Sequence, residues 1–467
     1  MTETTKSWYY CGGVNVPVFV LVTVFGIGSW VSVNAIFVEL PILVHNLPEK
    51  SNLPSYLTLI VELANIGPLI FVVANKICPS RINLKFVVYL ILLFGTSSTL
   101  LLAIFWSSTT EVSGVQHSAA LFVLTFLVSL PDCTTAVVFY SFMTVFKPQY
   151  LTAFFFGEGM SGLVPSLFGL AQGAGAINCR NTSLTNTTTN TTTFRMEDIF
   201  EDPAFHVDVY FYCTFAIMVL SLAAFSLMNL SLCDKEKLSE SAIAYKNLEE
   251  SELEHASRDL LLADENATDG VTEQENNMNT VSETGNRSRK PLPKLQFVFY
   301  LIVLAWIDAA TNGMLLAVQS FACLPYGTQP YHLSAILMNV ANPTACFVAL
   351  FLSIESAVLI SALVVVGSGL AAYIFVLAAM SPGPPLVGED IGPVLVVAAY
   401  AMTTFLVTFA KVNIGALFRQ EGTKALMWFG AFTRVGSTVG SLVSFLLINV
   451  WKLLISPDPC NVFRGKT

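Results

Sequence analysis

The chain has 467 residues, of which 54% are hydrophobic and only 12% are charged. A soluble globular protein carries about one-quarter charged residues, so this composition leaves too little polar surface to cover the apolar material in water. The formal net charge is −9 and no basic stripe is present, which argues against nucleic acid as a partner. The composition therefore predicts an all-α integral membrane protein, with the lipid bilayer as its surroundings.

Apolar segments recur along the chain, and each has the roughly 20 residues needed to cross a hydrocarbon core about 30 Å thick. Eleven spans are predicted near residues 15–37, 55–75, 85–106, 117–139, 151–173, 208–232, 295–318, 332–354, 358–380, 393–416 and 425–450. The first segment is too long for a signal peptide, and no small-residue cleavage site follows it. We expect a six-helix bundle in 15–232 and a five-helix bundle in 295–454.

Two long hydrophilic loops interrupt the spans. The first, 174–207, is rich in threonine and has glycosylation sequons at Asn181, Asn186 and Asn190. Three sequons so close together predict an external, glycosylated loop, and a plain polar linker is the alternative. The second loop, 233–294, is acidic and poor in aromatic residues, which predicts a disordered segment.

Lysine and arginine are unevenly distributed among the short connections, and this sets the predicted orientation. With residues 1–14 in the cytoplasm, the inner connections hold Lys76, Arg81, Lys85, Lys147, Arg419 and Lys424, whereas the outer connections 107–116, 319–331 and 381–392 hold neither residue type. The 174–207 loop then lies outside, in agreement with its sequons, and the 233–294 loop lies in the cytoplasm. An odd number of spans places the tail, 455–467, outside the cell.

Ionisable side chains lie within the predicted spans, although each costs about 2.5–3.5 kcal/mol to insert at the membrane centre. They are Glu62, Asp132, Glu158, Asp308, Lys411 and Arg434. Glu39 is expected near the outer mouth, just before Pro41 ends the first helix. Two roles are open for these ionisable groups. One is ion pairing of Asp132 or Glu158 with Lys411 or Arg434, and the other is gating or pH sensing by Glu39, Asp132, Glu158 and Lys411.

Amide and hydroxyl side chains are more frequent in the spans than charged ones. In the seventh span Asp308, Asn312 and Gln319 share one helix face at spacings i, i+4 and i+11. Amides supply donors and acceptors, which suits a polar but neutral solute, whereas a cation pathway would favour a denser ring of carboxylates. The candidate solute-binding residues are Ser29, Trp30, Asn34, Asn65, Thr311, Asn312, Gln319 and Asn342. Hydrogen bonding to a neighbouring helix is the alternative role for each amide, and packing is the alternative for Trp30.

The sequence offers no sign of an enzyme. It contains no HExxH or GxSxG motif and no cluster of histidine and cysteine, and its nine cysteines are scattered without a CxxC pair. We therefore expect neither catalysis nor a metal or cofactor site. Glycine pairs at 169–173 and 436–440 fit the GxxxG pattern, which allows helices to approach closely.

Several long motifs resemble the vertebrate riboflavin transporters, solute carrier family 52, in order and across nearly all the spans. They are GSWVSVNAIFVELP (28–41), LPSYLTLIVELANIGPL (53–69), FFFGEGMSGLVPSLFGLAQGAG (154–175), TNGMLLAVQSFACLPYGTQPYHL (311–333), ANPTACF (341–347) and YAMTTFLVTFAKV (400–412). The resemblance implies a plasma-membrane carrier with eleven helices in a major-facilitator-like 6+5 arrangement. It also implies sodium-independent uptake of riboflavin by alternating access.

The chain departs from the pattern of that family at a few positions. Glu62 and Arg434 stand where glutamine is expected, which predicts a compensating ion pair between them. Leu316 replaces an expected proline, so a bend in the seventh span would come from Gly313 or be lost. Tyr140 and Ser141 replace a Leu-Pro pair, and Gly383 replaces a cysteine, which leaves Cys460 without the expected partner. Two alternatives remain for function: a carrier of another neutral aromatic solute such as a nucleoside, and a surface receptor on the same scaffold.

Overall fold

The computed structural model describes residues 10–11, 14–77, 82–143, 146–173, 175–186, 191–201, 203–229, 292–352, 354, 356–421 and 423–456. Most of the loop predicted at 233–294 lies outside these ranges, as do Asn190 and Cys460. The described residues are mostly helical, as the composition predicts. Helices dominate because a bilayer offers no water to the backbone, and only a helix or a closed barrel satisfies every N–H and C=O internally.

The first bundle contains spans 1 to 6. Its helices are α1 (Val16–Ile27), α2 (Val31–Asn46), α3 (Leu53–Leu63), α4 (Ile66–Ile77), α5 (Leu84–Phe105), α6 (Ala119–Met143), α7 (Pro148–Gln172) and α8 (Val207–Met228). Helices α1 and α2 form span 1, α3 and α4 form span 2, and the other four helices are one span each. A single 3₁₀ turn at Lys50–Asn52 leads into α3.

The second bundle contains spans 7 to 11. Its helices are α9 (Lys294–Asp308), α10 (Leu316–Cys323), α11 (Thr328–Phe351), α12 (Ala357–Ala379), α13 (Ile391–Gln420) and α14 (Thr423–Phe445). A π-helical segment, Ala309–Leu315, joins α9 and α10 into span 7, and a second one, Leu446–Val450, extends α14. In the described part of the chain, ten helices are long and apolar enough to span a membrane, and the bent pair α1–α2 makes the eleventh. The predicted eleven spans are thus confirmed.

Short antiparallel hairpins lie outside the spans. They are β1 (Tyr10–Cys11) with β2 (Val14–Asn15), β3 (Thr110–Val112) with β4 (Val115–His117), and β5 (Ala176–Asn186) with β6 (Thr191–Glu201). The third hairpin lies within the segment predicted as a hydrophilic loop, 174–207, and pairs in register from Ala176 with Glu201 to Asn186 with Thr191. Its many threonines favour strands because β-branched side chains suit an extended backbone. Asn181 and Asn186 both lie on β5.

Span 1 is broken in a different place from the one predicted. Pro41 does not end a helix but lies inside α2, and the chain bends by 53° between α1 and α2 instead. Gly28 makes the bend possible, since a Cβ at this position would lie 2.2 Å from the Ser221 hydroxyl oxygen. The backbone groups freed by the bend find partners on other spans: Ser221 donates to the Phe25 carbonyl at 3.1 Å, and the Val33 N–H donates to Asp132 at 3.0 Å. A broken helix is tolerated at membrane depth when neighbouring helices satisfy its backbone in this way.

Close glycine contacts hold equivalent pairs of helices together in the two bundles. In the first bundle a Cβ on Gly157 of α7 would lie 2.1 Å from the Thr23 carbonyl oxygen of α1. In the second, a Cβ on Gly436 or Gly440 of α14 would lie 2.1 or 2.2 Å from the carbonyl oxygen of Ala305 or Ala309 in span 7. The predicted close approach at 436–440 is therefore confirmed. At 169–173 only the first glycine packs tightly, because Gly173 is beyond the helix end with nothing within 4 Å of a Cβ.

The two bundles are joined at one end and have separate cores toward the other. A large apolar core includes residues of both bundles, from Ile36 and Leu57 to Phe321 and Tyr331. Two smaller cores lie toward the opposite end, one within each bundle and centred on residues such as Phe25 and Phe418. The shared core lies at the end where spans 1 and 2 connect, which is the end predicted to face outside.

Hydrogen bonds between the bundles reinforce the closed end. Ser320 donates to the Ser51 carbonyl at 2.6 Å, and Asn449 donates to the Ser55 hydroxyl at 2.6 Å. The His332 imidazole lies 2.9 Å from the Gly169 carbonyl oxygen. The structure is therefore the conformation in which the predicted outer end is shut.

Candidate functional site

A cavity of about 160 Å³ lies between the bundles at mid-depth, where spans 1, 7, 8 and 10 meet. Its lining residues are Asn34, Phe37, Ile307, Thr311, Asn312, Leu316, Gln319, Ala335, Met338, Asn339, Asn342, Thr404, Val407, Thr408 and Lys411. Five of the eight predicted binding residues belong to this lining: Asn34, Thr311, Asn312, Gln319 and Asn342. The set combines apolar walls with amide and hydroxyl groups, as sites for neutral organic solutes usually do.

The π-helical segment of span 7 shapes the cavity. A π-helical insertion moves the side chains that follow it to a different face of the helix, and such insertions are frequent at functional sites. The segment begins directly after Asp308, whose carboxylate accepts a hydrogen bond from the Asn312 side-chain amide at 2.8 Å. Gln319 follows in α10, where its amide donates to the Ser334 hydroxyl at 3.0 Å and contacts the Met338 sulfur at 3.5 Å. Of the predicted common face, Asn312 and Gln319 line the cavity, whereas Asp308 lies behind Asn312 and is not part of the lining.

Lys411 of span 10 completes the polar wall opposite span 1. Its ammonium nitrogen lies 2.6 Å from the same Asp308 oxygen that accepts from Asn312. On the first bundle, the Asn34 amide donates to the Ser161 hydroxyl at 3.3 Å. Gly162, on the same helix as Ser161, lies against this wall, since a Cβ there would be 3.4 Å from the Asn339 carbonyl oxygen and 3.6 Å from the Asn34 amide nitrogen.

Three predicted binding residues lie away from the cavity and have other partners. Ser29 donates to the Gly26 carbonyl at 2.8 Å and is buried in the bend of span 1. Asn65 donates to Glu62 at 2.8 Å, at the junction of α3 and α4. The Trp30 ring, expected to stack on a solute, is instead covered by the Arg434 guanidinium, 5.4 Å from the ring centroid. This cation–π contact joins span 1 to span 11 across the two bundles.

The buried acids have partners other than those predicted. Lys411 pairs with Asp308 rather than with Asp132 or Glu158. Asp132 accepts from the backbone at the start of α2, as described above, and Glu158 accepts from the Tyr140 hydroxyl at 2.9 Å. Among the described residues neither acid forms an ion pair with Lys411 or Arg434, so the predicted pairing is wrong.

Glu62 and Glu39 also differ from expectation. Glu62 accepts from Ser437 and from Thr438 at 3.1 Å, and among the described residues no ion pair joins it to Arg434. Two hydroxyls of span 11 have taken the place of the expected cation. Glu39 is fully buried rather than exposed at an outer mouth, and it accepts from the Gln172 amide at 2.9 Å. It lies within the helix that continues past Pro41, so it has no access to outside water in this conformation.

One family model of known proteins matches almost the full length of the chain. That model is "Solute carrier family 52, riboflavin transporter", and it matches residues 14–456. The chain belongs to this family. Riboflavin transporter member 3-B of Danio rerio is 40% identical over 449 residues, covering 95% of this chain and 98% of the relative. Member 3 of Homo sapiens is 36% identical over 469 residues, with the same coverage of both chains.

Solved structures of other transporters share the fold at low sequence identity. A D-xylose–proton symporter matches with a TM-score of 0.56 and 12% identity, over 93% of this chain and 91% of the symporter. A proton-dependent oligopeptide transporter matches with a TM-score of 0.52 and 14% identity, over 96% and 94% of the two chains. These similarities confirm the predicted all-α, major-facilitator-like arrangement.

Sequence reasoning missed part of the wall that this carrier presents to its cavity. Thr404 and Thr408 of span 10 line the cavity together with Lys411, at spacings i, i+4 and i+7 on one helix face. Helical spacing of polar residues, which predicts the polar face of span 7, predicts this face of span 10 as well. Asn339 also lines the cavity but is not among the predicted binding residues. In the sequence, Phe37 cannot be distinguished from an aromatic residue that only packs against its neighbours.

The arrangement is suited to binding without chemistry. Amides and threonines can donate to and accept from a solute, while Phe37 and Met338 offer apolar contact area. Within the described residues no group of three or more His, Cys, Asp or Glu side chains could hold a metal ion. Sites for drug-sized ligands usually measure about 300–1,000 Å³, so a larger solute requires the walls of this cavity to move apart.

Proposed function

We propose that this protein carries riboflavin across a membrane by alternating access, with the central cavity as the binding site. The observation that carries the proposal is the amide-lined cavity between two bundles, in a chain whose relatives at up to 40% identity are named riboflavin transporters. The two bundles would rock about the cavity, because their cores are shared at one end only. The protein acts as a carrier and not as an enzyme.

The chemistry of riboflavin suits this wall. The vitamin has a flat isoalloxazine ring, an imide edge and a hydroxylated ribityl chain, and it is uncharged near neutral pH. An imide presents acceptor, donor and acceptor groups in a row, and amide side chains such as Asn34 and Asn312 can pair with such an edge. Gln319 and Thr408 can hydrogen-bond the ribityl hydroxyls, and Phe37 can pack against the ring.

We further propose that uptake occurs at the plasma membrane without sodium, with a cytoplasmic N-terminus and an extracellular C-terminus. The distribution of lysine and arginine supports this orientation, and so do the sequons at Asn181 and Asn186 on the β5 strand. A sodium site needs carboxylate or carbonyl oxygens free to coordinate the ion. The carboxylate beside the cavity, Asp308, already contacts the Lys411 ammonium, which favours sodium independence.

The main alternative is a carrier of another neutral aromatic solute, such as a nucleoside. Pyrimidine nucleosides share the imide edge and the hydroxylated sugar, so the amide wall alone does not separate the two. Competition does: unlabelled riboflavin and lumiflavin should block uptake of labelled riboflavin, and uridine at the same concentration should not. A receptor on the same scaffold would bind its ligand without saturable accumulation inside the cell.

The proposal is tested by uptake of labelled riboflavin into cells that express the chain, with surface amount measured by biotinylation. Asn312→Ala removes one amide from the cavity and should raise KM by about 5- to 150-fold, since a lost hydrogen bond in a buried site costs about 1–3 kcal/mol. Asn229→Ala is the matched control, because that amide bonds within its own helix at the end of span 6.

The outcomes separate the substrate from its site. Saturable uptake that collapses in Asn312→Ala but not in the control supports both. Uptake that survives Asn312→Ala keeps riboflavin as the substrate and rejects this cavity as its site. Absence of uptake by the unaltered chain at every pH from acidic to neutral, with normal surface amount, contradicts the proposed function.

A further inference from the structure

One lining residue of the central cavity differs from all the others. Lys411 is the single ionisable side chain among the lining residues that the structure describes, while the rest of the polar wall is amides and hydroxyls. Its side chain is 29% exposed, so its ammonium group can contact a bound solute. A lysine left without a partner here would make the cavity positively charged and favour anionic ligands.

Asp308 lies behind the cavity wall and balances the positive charge of Lys411. Its carboxylate lies 2.6 Å from the Lys411 nitrogen, yet its side chain is only 2% exposed and it does not line the cavity. An ion pair at this distance in a partly dry site leaves little net field for a third charge. The cavity is therefore electrically balanced, although it contains a lysine.

The same carboxylate also orients an amide of the binding site. The Asp308 oxygen that contacts Lys411 accepts from the Asn312 amide nitrogen at 2.8 Å. The Asn312 side chain is exposed to the cavity, and this bond turns its carbonyl oxygen away from Asp308. That oxygen is then available to accept from a donor on the solute.

We propose that Asp308 determines the charge selectivity of the carrier: by pairing with Lys411 it keeps the cavity neutral, so that uncharged flavin binds and phosphorylated flavin is rejected. The proposal rests on the proposed riboflavin transport. A phosphate that enters a balanced cavity loses its hydration and gains no free cation in exchange. Asp308 acts through Lys411 and Asn312, and it is a positioning residue rather than a contact of the solute.

The test is competition between flavins that differ only in charge. Uptake of labelled riboflavin is measured against unlabelled riboflavin and unlabelled riboflavin 5′-phosphate, and the ratio of their inhibitory concentrations is the readout. In Asp308→Asn the side chain keeps its shape and loses its charge, so Lys411 becomes an unpaired cation. The ratio should shift toward the phosphate by at least about tenfold.

Three further variants separate charge from shape. Asp308→Asn combined with Lys411→Gln restores a neutral cavity and should return the ratio to its original value. Asp308→Glu keeps the charge and should keep the ratio, even if riboflavin itself binds more weakly because Asn312 is displaced. Asp390→Asn, on an exposed connection outside the cavity, is the matched control and should change nothing.

A variant that binds but does not move solute is still informative, because quenching of flavin fluorescence by the purified protein gives the same ratio at equilibrium. If Asp308→Asn does not fold, Thr408→Lys provides the second route. It adds an unpaired cation one turn from Lys411 on the same cavity wall while the original ion pair stays intact. This variant should also gain affinity for riboflavin 5′-phosphate.

The inference is overturned if Asp308→Asn binds riboflavin and leaves the ratio unchanged. If that variant does not fold, an unchanged ratio in Thr408→Lys overturns it. It is also overturned if the double variant behaves like Asp308→Asn, since the effect would then not pass through Lys411. Failure of the unaltered chain to bind or transport riboflavin is a different result: it contradicts the proposed function, whatever the ratio.

Discussion

The contact between spans 7 and 11 gives the sharpest test of the packing. Gly436 of α14 lies against the Ala305 carbonyl of α9, and a Cβ at this position would come within 2.1 Å of that oxygen. Real Cβ atoms essentially never approach closer than 3.0 Å, so Gly436→Ala must push the two helices apart by about 1 Å. Overpacking of this kind costs about 1–3 kcal/mol.

The same displacement should reach the binding site. The π-helical segment of span 7, which carries Asn312, packs on the neighbouring glycine of α14: a Cβ on Gly440 would lie 2.2 Å from the Ala309 carbonyl oxygen. Backbone against backbone leaves no flexible side chain to absorb the strain. We therefore expect Gly436→Ala to lower both the melting temperature and the affinity for riboflavin. A purely local effect would lower the melting temperature and leave the affinity unchanged.

Two quantities are measured. The melting temperature comes from thermal denaturation of the purified protein in detergent, monitored by size-exclusion chromatography, and the KM comes from riboflavin uptake. Gly436→Ala should melt several degrees below the unaltered chain, since 1 kcal/mol corresponds to about 2–4 °C even in domains of 150–250 residues. Gly430→Ala is the matched control, because it lies on the same helix with nothing within 4 Å of a Cβ. Equal melting temperatures for the two variants would refute the reasoning.

Two further predictions concern the cavity and the closed end. Gly162→Leu should fill the space beside Asn339 and abolish uptake at normal surface amount, whereas Gly369→Leu, where a Cβ meets nothing within 4 Å, should have no effect; retained uptake in the first variant would place the solute elsewhere. The hydroxyl oxygens of Ser51 and Ser456 are 3.1 Å apart across the closed end, so Ser51→Cys with Ser456→Cys should form a disulfide that stops uptake and is reversed by reductant, unlike either single variant. Uptake that continues with the disulfide formed would show that this end need not open.

Span 7 shows what the sequence could predict. Helical spacing predicts one polar face for Asp308, Asn312 and Gln319, and two of these residues, Asn312 and Gln319, line the cavity. Polar side chains at membrane depth need water or a hydrogen-bond partner, and all three have partners. Both expectations follow from local periodicity and the cost of burying polar groups, which act wherever the chain folds. The number of spans is predictable for the same reason, since it depends on length and apolarity alone.

Pairing between distant side chains could not be predicted in this way. Lys411 had four acids within the spans to choose from, and its choice of Asp308 depends on which helices are neighbours in three dimensions. Pro41 is a second example: a proline usually ends a helix, yet here the bend comes at Gly28, where Ser221 and Asp132 supply partners for the freed backbone groups. Those partners are more than 90 residues away in the sequence, so no local pattern reveals them.

The lining of the cavity is very unequal between the two bundles. Among the lining residues that the structure describes, Asn34 and Phe37 belong to the first bundle and all the others belong to the second. A bound vitamin would therefore stay attached to the second bundle during transport. The first bundle would move relative to the vitamin, and few contacts between them would break. Recognition and turnover are then largely separable properties. Changes in spans 7, 8 and 10 should alter which flavin is accepted, and changes in spans 1 to 6 other than at Asn34 and Phe37 should alter how fast it crosses. Chimaeras that exchange whole bundles with a relative would inherit their solute preference from the C-terminal parent.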